Sequence, residues 1–108
     1  MSTDIGIKLD SGKNDLGLVL GSFSSALIDV GKVGTFGADK YTRNGWQYVD
    51  NALDRYESAM LRHYFQYKEG EITDPESGLS HLSHLAWNAL AILSLYNRLV
   101  KESASNTP

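Results

Sequence analysis

Apolar positions recur along most of this chain at intervals of three and four, the spacing of helices with one hydrophobic side. In LVLGSFSSALIDVGKVGTFGADKY (18–41), Leu20, Phe23, Leu27, Val30 and Val33 keep that rhythm. Four glycines interrupt it (Gly21, Gly31, Gly34 and Gly37). Each weakens a helix by roughly 1 kcal/mol relative to alanine, so the pattern predicts close helix packing or a break near Gly34–Gly37. TRNGWQY (42–48) carries an Asn-Gly turn signal. A second helix is predicted from about Asn51 to Glu69, with Leu53, Tyr56, Met60, His63 and Tyr67 on one arc and Gly70 as its C′ residue. A third is expected to begin at Pro75 or Ser80 and run to Lys101. Between Leu85 and Tyr96 it is apolar nearly all round, the mark of a buried helix. Three short helices can hardly enclose one of their own, so the pattern also predicts a partner chain or a helical dimer or tetramer. No strand alternation or internal repeat stands out, and the fold class is all-α.

Composition narrows the possibilities. At 108 residues, with 42% apolar and 21% charged content, the chain is one ordinary globular domain. A net charge of -3 offers no electrostatic footprint for general nucleic-acid binding, although a single nucleotide needs only a few placed cations. Cysteine is absent, which excludes disulfides, thiolate chemistry and Cys-based metal sites. No signal-peptide pattern opens the chain and no apolar run reaches the roughly 18 residues of a membrane span, so a soluble, cytoplasmic protein is expected. Residues 1–15 read as a polar arm, 16–102 as a single helical domain and 103–108 as a fraying tail.

The chemistry concentrates in EITDPESGLSHLSHLAWN (71–88). Asp74-Pro75-Glu76-Ser77 has the look of a helix start, with Asp at the N-cap, Pro at N1 and Glu meeting the positive end of the dipole. Capping does not account for Glu71, which precedes the helix in either version. Nor does it account for His81, His84 and Asn88, spaced three and four apart on one narrow arc. A mixed carboxylate and imidazole set suits a divalent metal such as Mn²⁺ or Mg²⁺. The spacing is not HExxH, there is no His-Asp dipeptide, and GxxxxGK[ST] is absent. His63, among Tyr56, Met60 and Tyr67, is a core histidine by default, but it can reach across to the acids. On the opposite side of that helix Arg55, Arg62, Gln66 and Glu69 line up, either as a solvated face or as a phosphate clamp built on planar guanidinium donors. Lys8, Lys13 and Lys40 flank glycines and can reach phosphates. Tyr41 and Trp46 flank the turn, where they either stack on a base or plug the end of the bundle.

Taken together, K8-x-D10-x-G12-K13, TFGADKY…NGW (35–46), RY…AMLRH (55–63) and GEITDPESGLSHLSHLAWN (70–88) resemble the N-terminal domain of phage-type dATP/dGTP diphosphohydrolases, relatives of the MazG-like all-α nucleotide pyrophosphohydrolases. The resemblance covers about residues 8–98. It implies a small MazG-like bundle of three to four helices, completed by oligomerisation, in the cytoplasm of a phage-infected bacterium. It also implies metal-dependent cleavage of a purine (deoxy)nucleoside triphosphate such as dGTP, dATP or GTP to the monophosphate and pyrophosphate. Under it Glu71, Asp74 and Glu76 are catalytic, and the same three with His81 and His84 hold Mg²⁺ or Mn²⁺. Lys13, Lys40, Arg55 and Arg62 face phosphates, while Tyr41, Asn44 and Trp46 meet the base or sugar. His63 and Asn88 support the site. The chain's one Glu-x-x-Asp pair is Glu71–Asp74, and it has no Glu-x-x-Glu. That difference from the wider MazG-like pattern keeps a second possibility open, a phage protein that binds or sequesters a nucleotide or nucleotide signal without hydrolysing it.

Overall fold

A computed structural model describes residues 6–105; the first five residues of the expected arm and residues 106–108 of the expected tail lie outside the described residues. Four α-helices follow one another: α1 (Leu16–Ser22), α2 (Ser24–Lys40), α3 (Ala52–Lys68) and α4 (His81–Ser105), with a 3-10 turn at Gly45–Tyr48 before α3. No strand forms among the described residues, only an isolated antiparallel bridge between Thr73 and Ser80. The all-α expectation and the small bundle are therefore correct.

α1 starts where Asp15 caps it, its Oδ1 accepting from the Leu18 amide at 2.9 Å. The break in the first apolar segment falls at Phe23 rather than near Gly34–Gly37, and α1 and α2 meet there at 81°. The helix instead runs straight through its glycines to Lys40. Gly34 explains part of this. A Cβ placed there would stand 3.3 Å from the Trp87 indole nitrogen, so the missing side chain is what lets α2 approach α4. Val33 beside it is the buried residue of α2.

α3 packs along α4. The predicted arc of Leu53, Tyr56, Met60, His63 and Tyr67 is half-buried against it, and the Arg55, Arg62, Gln66 and Glu69 stripe is exposed. α3 ends in a Schellman motif: the Gly70 amide donates to the Tyr67 carbonyl and the Glu71 amide to Gln66, each at 3.0 Å. Gly70, at φ 100°, occupies the left-handed position that glycine takes without strain. Less than two turns along α4 from His81, an aromatic cluster fills the space between α3, α4 and the 3-10 turn. Trp46 meets Trp87 edge-on at 5.6 Å, Tyr56 meets Trp87 at 5.5 Å, and the Tyr56 hydroxyl donates to the Trp46 carbonyl at 2.6 Å. Arg98 ties α4 to the 3-10 turn by donating to the Gln47 carbonyl at 3.1 Å.

The expectation of a fully buried α4 is not met within one chain. His81, Ser83, His84, Asn88, Ala91 and Leu95 are buried, but Leu90, Leu93 and Tyr96 are about half exposed. Only Val33, Ala91 and Leu95 are buried apolar residues among those described. No residue of α1 is buried. The radius of gyration is 18.6 Å, against about 13 Å for a compact domain of this length. No single described helix is long and apolar enough to cross a membrane; the bent α1–α2 pair reaches that length and composition only in sum.

Trp87 sits where α2, α4 and the 3-10 turn converge. Trp87→Ala should lower stability by about 3 kcal/mol, read in urea as a lower unfolding midpoint at unchanged slope.

Candidate functional site

The loop between α3 and α4 brings the chemistry together. Of the two starts the sequence offers for α4, Pro75 is not used; α4 begins at His81, one residue after Ser80. Ser80 acts as the cap, its hydroxyl accepting from the Ser83 amide at 3.1 Å. Asp74-Pro75-Glu76-Ser77 is instead a single tight turn. The Gly78 amide closes it on the Asp74 carbonyl at 2.8 Å, with Gly78 at φ 73°. Backbone bonds then zip the loop's two arms together: the Asp74 amide donates to Leu79 at 2.8 Å and the His81 amide to Ile72 at 2.9 Å. The N-cap preference of Asp74 survives in altered form. Its Oδ2 accepts from the Ser77 amide at 3.0 Å and the Ser77 hydroxyl at 2.8 Å.

Above this loop three imidazoles meet. His63 reaches across from α3, and its Nδ1 lies 2.8 Å from Nδ1 of His81, which is fully buried. The second nitrogen of His81, Nε2, lies 2.7 Å from Glu71 Oε1. A carboxylate only accepts, so Nε2 carries the proton. In the neutral ring that leaves His81 Nδ1 as an acceptor, and His63 Nδ1–H donates to it. The His84 ring stacks on His63 at 4.4 Å and 7° between planes. His84 Nε2 lies 2.6 Å from the Ser77 hydroxyl. That hydroxyl gives its one proton to Asp74, so it accepts from His84 and from the Leu79 amide at 3.1 Å. Its capacity is then full.

The charges follow from this packing. Burial first, then the neighbouring His84 and His81, push the His63 pKa from 6.5 down to about 4. His84 is also lowered by burial, against the opposing pull of Asp74. Burial pushes the Asp74 carboxyl up, but the two Ser77 bonds with His84 and His63 outweigh it, and the net displacement is downward. Lys40, at the end of α2, pairs with Glu76, and that hydrogen bond raises its pKa.

The expected site residues thus divide by place. Glu71, Asp74, His81, His84 and His63 converge in one network. Glu76 turns outward to Lys40, which also lies 5.3 Å from the Tyr41 ring centroid. Asn88 is buried but donates to the His84 carbonyl of its own helix at 2.8 Å. Trp46 belongs to the aromatic cluster, and Asn44 supplies the left-handed residue, φ 64°, at the turn before it. Arg55, Arg62, Lys13 and Tyr41 are exposed. Ser77 was overlooked by sequence reasoning, although its i+3 spacing from Asp74 is the signal of a side-chain-capped turn. Among the described residues one group of donors is close enough to share a metal ion: His63, Asp74 and His81, with ligand atoms all within 4.8 Å of one another. Glu71, Glu76 and His84 lie outside that group.

The geometry defines an all-α protein whose two longest-packed helices hold a histidine and carboxylate cluster at one end of their seam. The chain belongs to the family described as dATP/dGTP diphosphohydrolase, N-terminal, which it matches over residues 3–104. It is 34% identical over 92 residues to a "dATP/dGTP diphosphohydrolase" of Salmonella phage PMBT28. That match takes in 85% of this chain but spans about 30% of the relative's length. No solved structure matches it.

The unfolded chain takes up a proton between about pH 6.5 and 4 that folded His63 refuses. Stability should therefore fall as pH drops through that window and be fully present above it. The Asp74 contribution is lost only at lower pH, below the ordinary carboxylate range. Chemical denaturation at stepped pH should show the slope between pH 6.5 and 4, and His63→Asn should reduce it, leaving the part that buried His84 contributes.

Proposed function

We propose that this chain acts on purine (deoxy)nucleoside triphosphates, dGTP and dATP first among them, cleaving between the α- and β-phosphates to give the monophosphate and pyrophosphate. The observation that carries the proposal is the convergence of His63, His81 and Asp74 at the α3–α4 seam in a chain of the diphosphohydrolase family. Two imidazoles and a carboxylate fit a divalent cation, because each offers a lone pair and the loop and the two helices fix their spacing. Such a cation, held by His63, Asp74 and His81, supplies charge neutralisation for phosphate oxygens and a water of lowered pKa. Glu71 orients His81, and the Ser77 hydroxyl orients both Asp74 and His84. Lys40, beside the loop and paired with Glu76, is placed to exchange that partner for a phosphate, and Arg55, Arg62 and Lys13 are further exposed cations for the triphosphate. Tyr41, next to Lys40 and exposed, is the stacking candidate for the base; Trp46 already packs against Trp87.

A second reading is favoured by the carboxylate pattern: Glu71–Asp74 is the one Glu-x-x-Asp pair and no Glu-x-x-Glu exists, so binding of the nucleotide without turnover is the alternative. Incubation with dGTP, dATP or GTP and a divalent metal should release pyrophosphate and the monophosphate; tight binding with the nucleotide recovered intact would leave the binding protein instead.

The protein is also proposed to associate with itself in the bacterial cytoplasm, without nucleic acid or membrane. Its accessible surface is 8,674 Å², about 2,700 Å² more than a compact monomer of this mass exposes. A standard interface needs only about 800 Å² per partner. Sedimentation should give a dimer or tetramer, and Leu20→Glu with Leu27→Glu should shift it towards monomer while far-ultraviolet circular dichroism stays helical.

A further inference from the structure

We infer that His63, His81 and Asp74 form a three-donor site for a transition metal that accepts imidazole nitrogen, of the Co²⁺ or Zn²⁺ class, rather than for Mg²⁺, with Glu71 outside the ligand set as the carboxylate that aims His81. This rests on the metal dependence proposed above, but not on hydrolysis.

Four observations carry it. First, two of the three donors are imidazole nitrogens, a ligand type that suits Zn, Cu, Fe and Ni, whereas Mg²⁺ takes oxygens and keeps its waters. Second, His81 is fully buried and its ring is held at both nitrogens: Nε2–H to Glu71 at 2.7 Å, with the Nδ1 lone pair turned to the cluster. A carboxylate fixing the far nitrogen of a ligating histidine is the usual outer arrangement at metal sites, and it selects the tautomer that ligates. Third, His63 Nδ1 and His81 Nδ1 are 2.8 Å apart, joined by one shared proton. Two imidazole nitrogens on one tetrahedral zinc-sized ion lie about 3.3 Å apart, so the pair needs to open by roughly half an ångström. Fourth, Asp74 directs one oxygen to Ser77, and its other oxygen has no hydrogen bond among the described residues.

The proton balance is simple. In the metal-free protein the shared proton sits on His63 Nδ1. On metal binding it leaves that atom for Nε2 of the same ring by exchange with solvent, which reaches half-buried His63. Both Nδ1 lone pairs then face the ion and no net proton is released from the pair. Three protein donors leave further coordination positions open, the count of a reactive site rather than of a closed structural one.

The site assigns separate roles to residues that the spacing alone would group together. Glu71 and His84 support ligands and do not touch the ion: Glu71 through His81, and His84 through the Ser77–Asp74 chain and its stack on His63.

The test uses chelator-stripped full chain and metal alone, without nucleotide. Titration with Co²⁺, Mn²⁺ and Mg²⁺ is followed by calorimetry, and the Mn²⁺ form by pulsed electron paramagnetic resonance for ¹⁴N modulation. Co²⁺ should bind one per chain, about 100-fold or more tighter than Mg²⁺, and Mn²⁺ should show coupled imidazole nitrogen. His63→Ala should abolish Co²⁺ binding. Glu71→Gln should weaken it about 10- to 100-fold, with nitrogen coupling retained. Circular dichroism on each variant separates lost binding from lost folding, and half-buried His63 gives the more tolerant position. Equal affinity for Mg²⁺ and Co²⁺, absent nitrogen coupling, or Co²⁺ binding untouched in a folded His63→Ala protein would each overturn the inference. Pyrophosphate release with Mg²⁺ alone and no Co²⁺ selectivity would overturn it while leaving the proposed function standing. Selective Co²⁺ binding with nucleotide left intact would do the reverse.

Discussion

The hydrogen bond between two imidazole nitrogens, His63 on α3 and His81 on α4, is the constraint around which this small protein is arranged. Buried polar groups are costly unless each finds a partner, and the penalty grows as water is excluded. His81 is wholly buried, so both its nitrogens have to be met, and they are, by residues from two different elements. An apolar seam between two helices tolerates sliding by a turn; a seam closed by a matched donor and acceptor does not. Less than two turns further along α4, Trp87 is gripped between Trp46 and Tyr56. The helices are thus joined at two successive points, once by polar geometry and once by aromatic shape.

What holds the polar end in place is mostly backbone. The Schellman turn at Gly70 stops α3 so that Glu71 emerges directly beneath His81. The paired amides of 72–74 and 79–81 return the chain over ten residues without a strand. Inside that return Asp74 and Ser77 satisfy one another, and only then does His84 gain an oxygen to donate to. Each side chain of the cluster is positioned by another that is itself held by the loop or by its helix, so that little of the cluster is free to move independently.

Much of this was legible in the sequence. The helical face of α3 and the Gly70 terminus followed from spacing and from glycine's freedom at positive φ, because both are local effects. That His63 can reach across the seam was legible, but its partner was not: meeting His81 rather than an acid depends on how two helices pack across a loop. The same limit explains the misplaced helix start. Asp-Pro-Glu-Ser satisfies the local preferences of an N-terminus, but a glycine three residues on and a second capping serine at 80 let a turn intervene. The break at Phe23 instead of Gly34 has the converse cause: a glycine that is weak in an isolated helix becomes useful once Trp87 fills the space beside it.

The apolar residues left outside are arranged so that they do not interfere with the cluster. On α4, successive residues turn by about 100°, which places Leu93 about 180° from His84, and Leu82 nearly as far on the other side. Both leucines are about half exposed, whereas His84 is buried. A surface laid against the leucine side therefore covers hydrophobic area without touching the imidazoles. α1 carries its own unburied leucines 81° away from the line of α2, directed off the body of the bundle. With only three buried apolar residues among those described, the energy that such surfaces withhold is large relative to a typical net stability. The polar cluster and the uncovered leucines thus lie on opposite sides of α4, so that hydrophobic exposure on one side leaves the buried imidazoles on the other undisturbed.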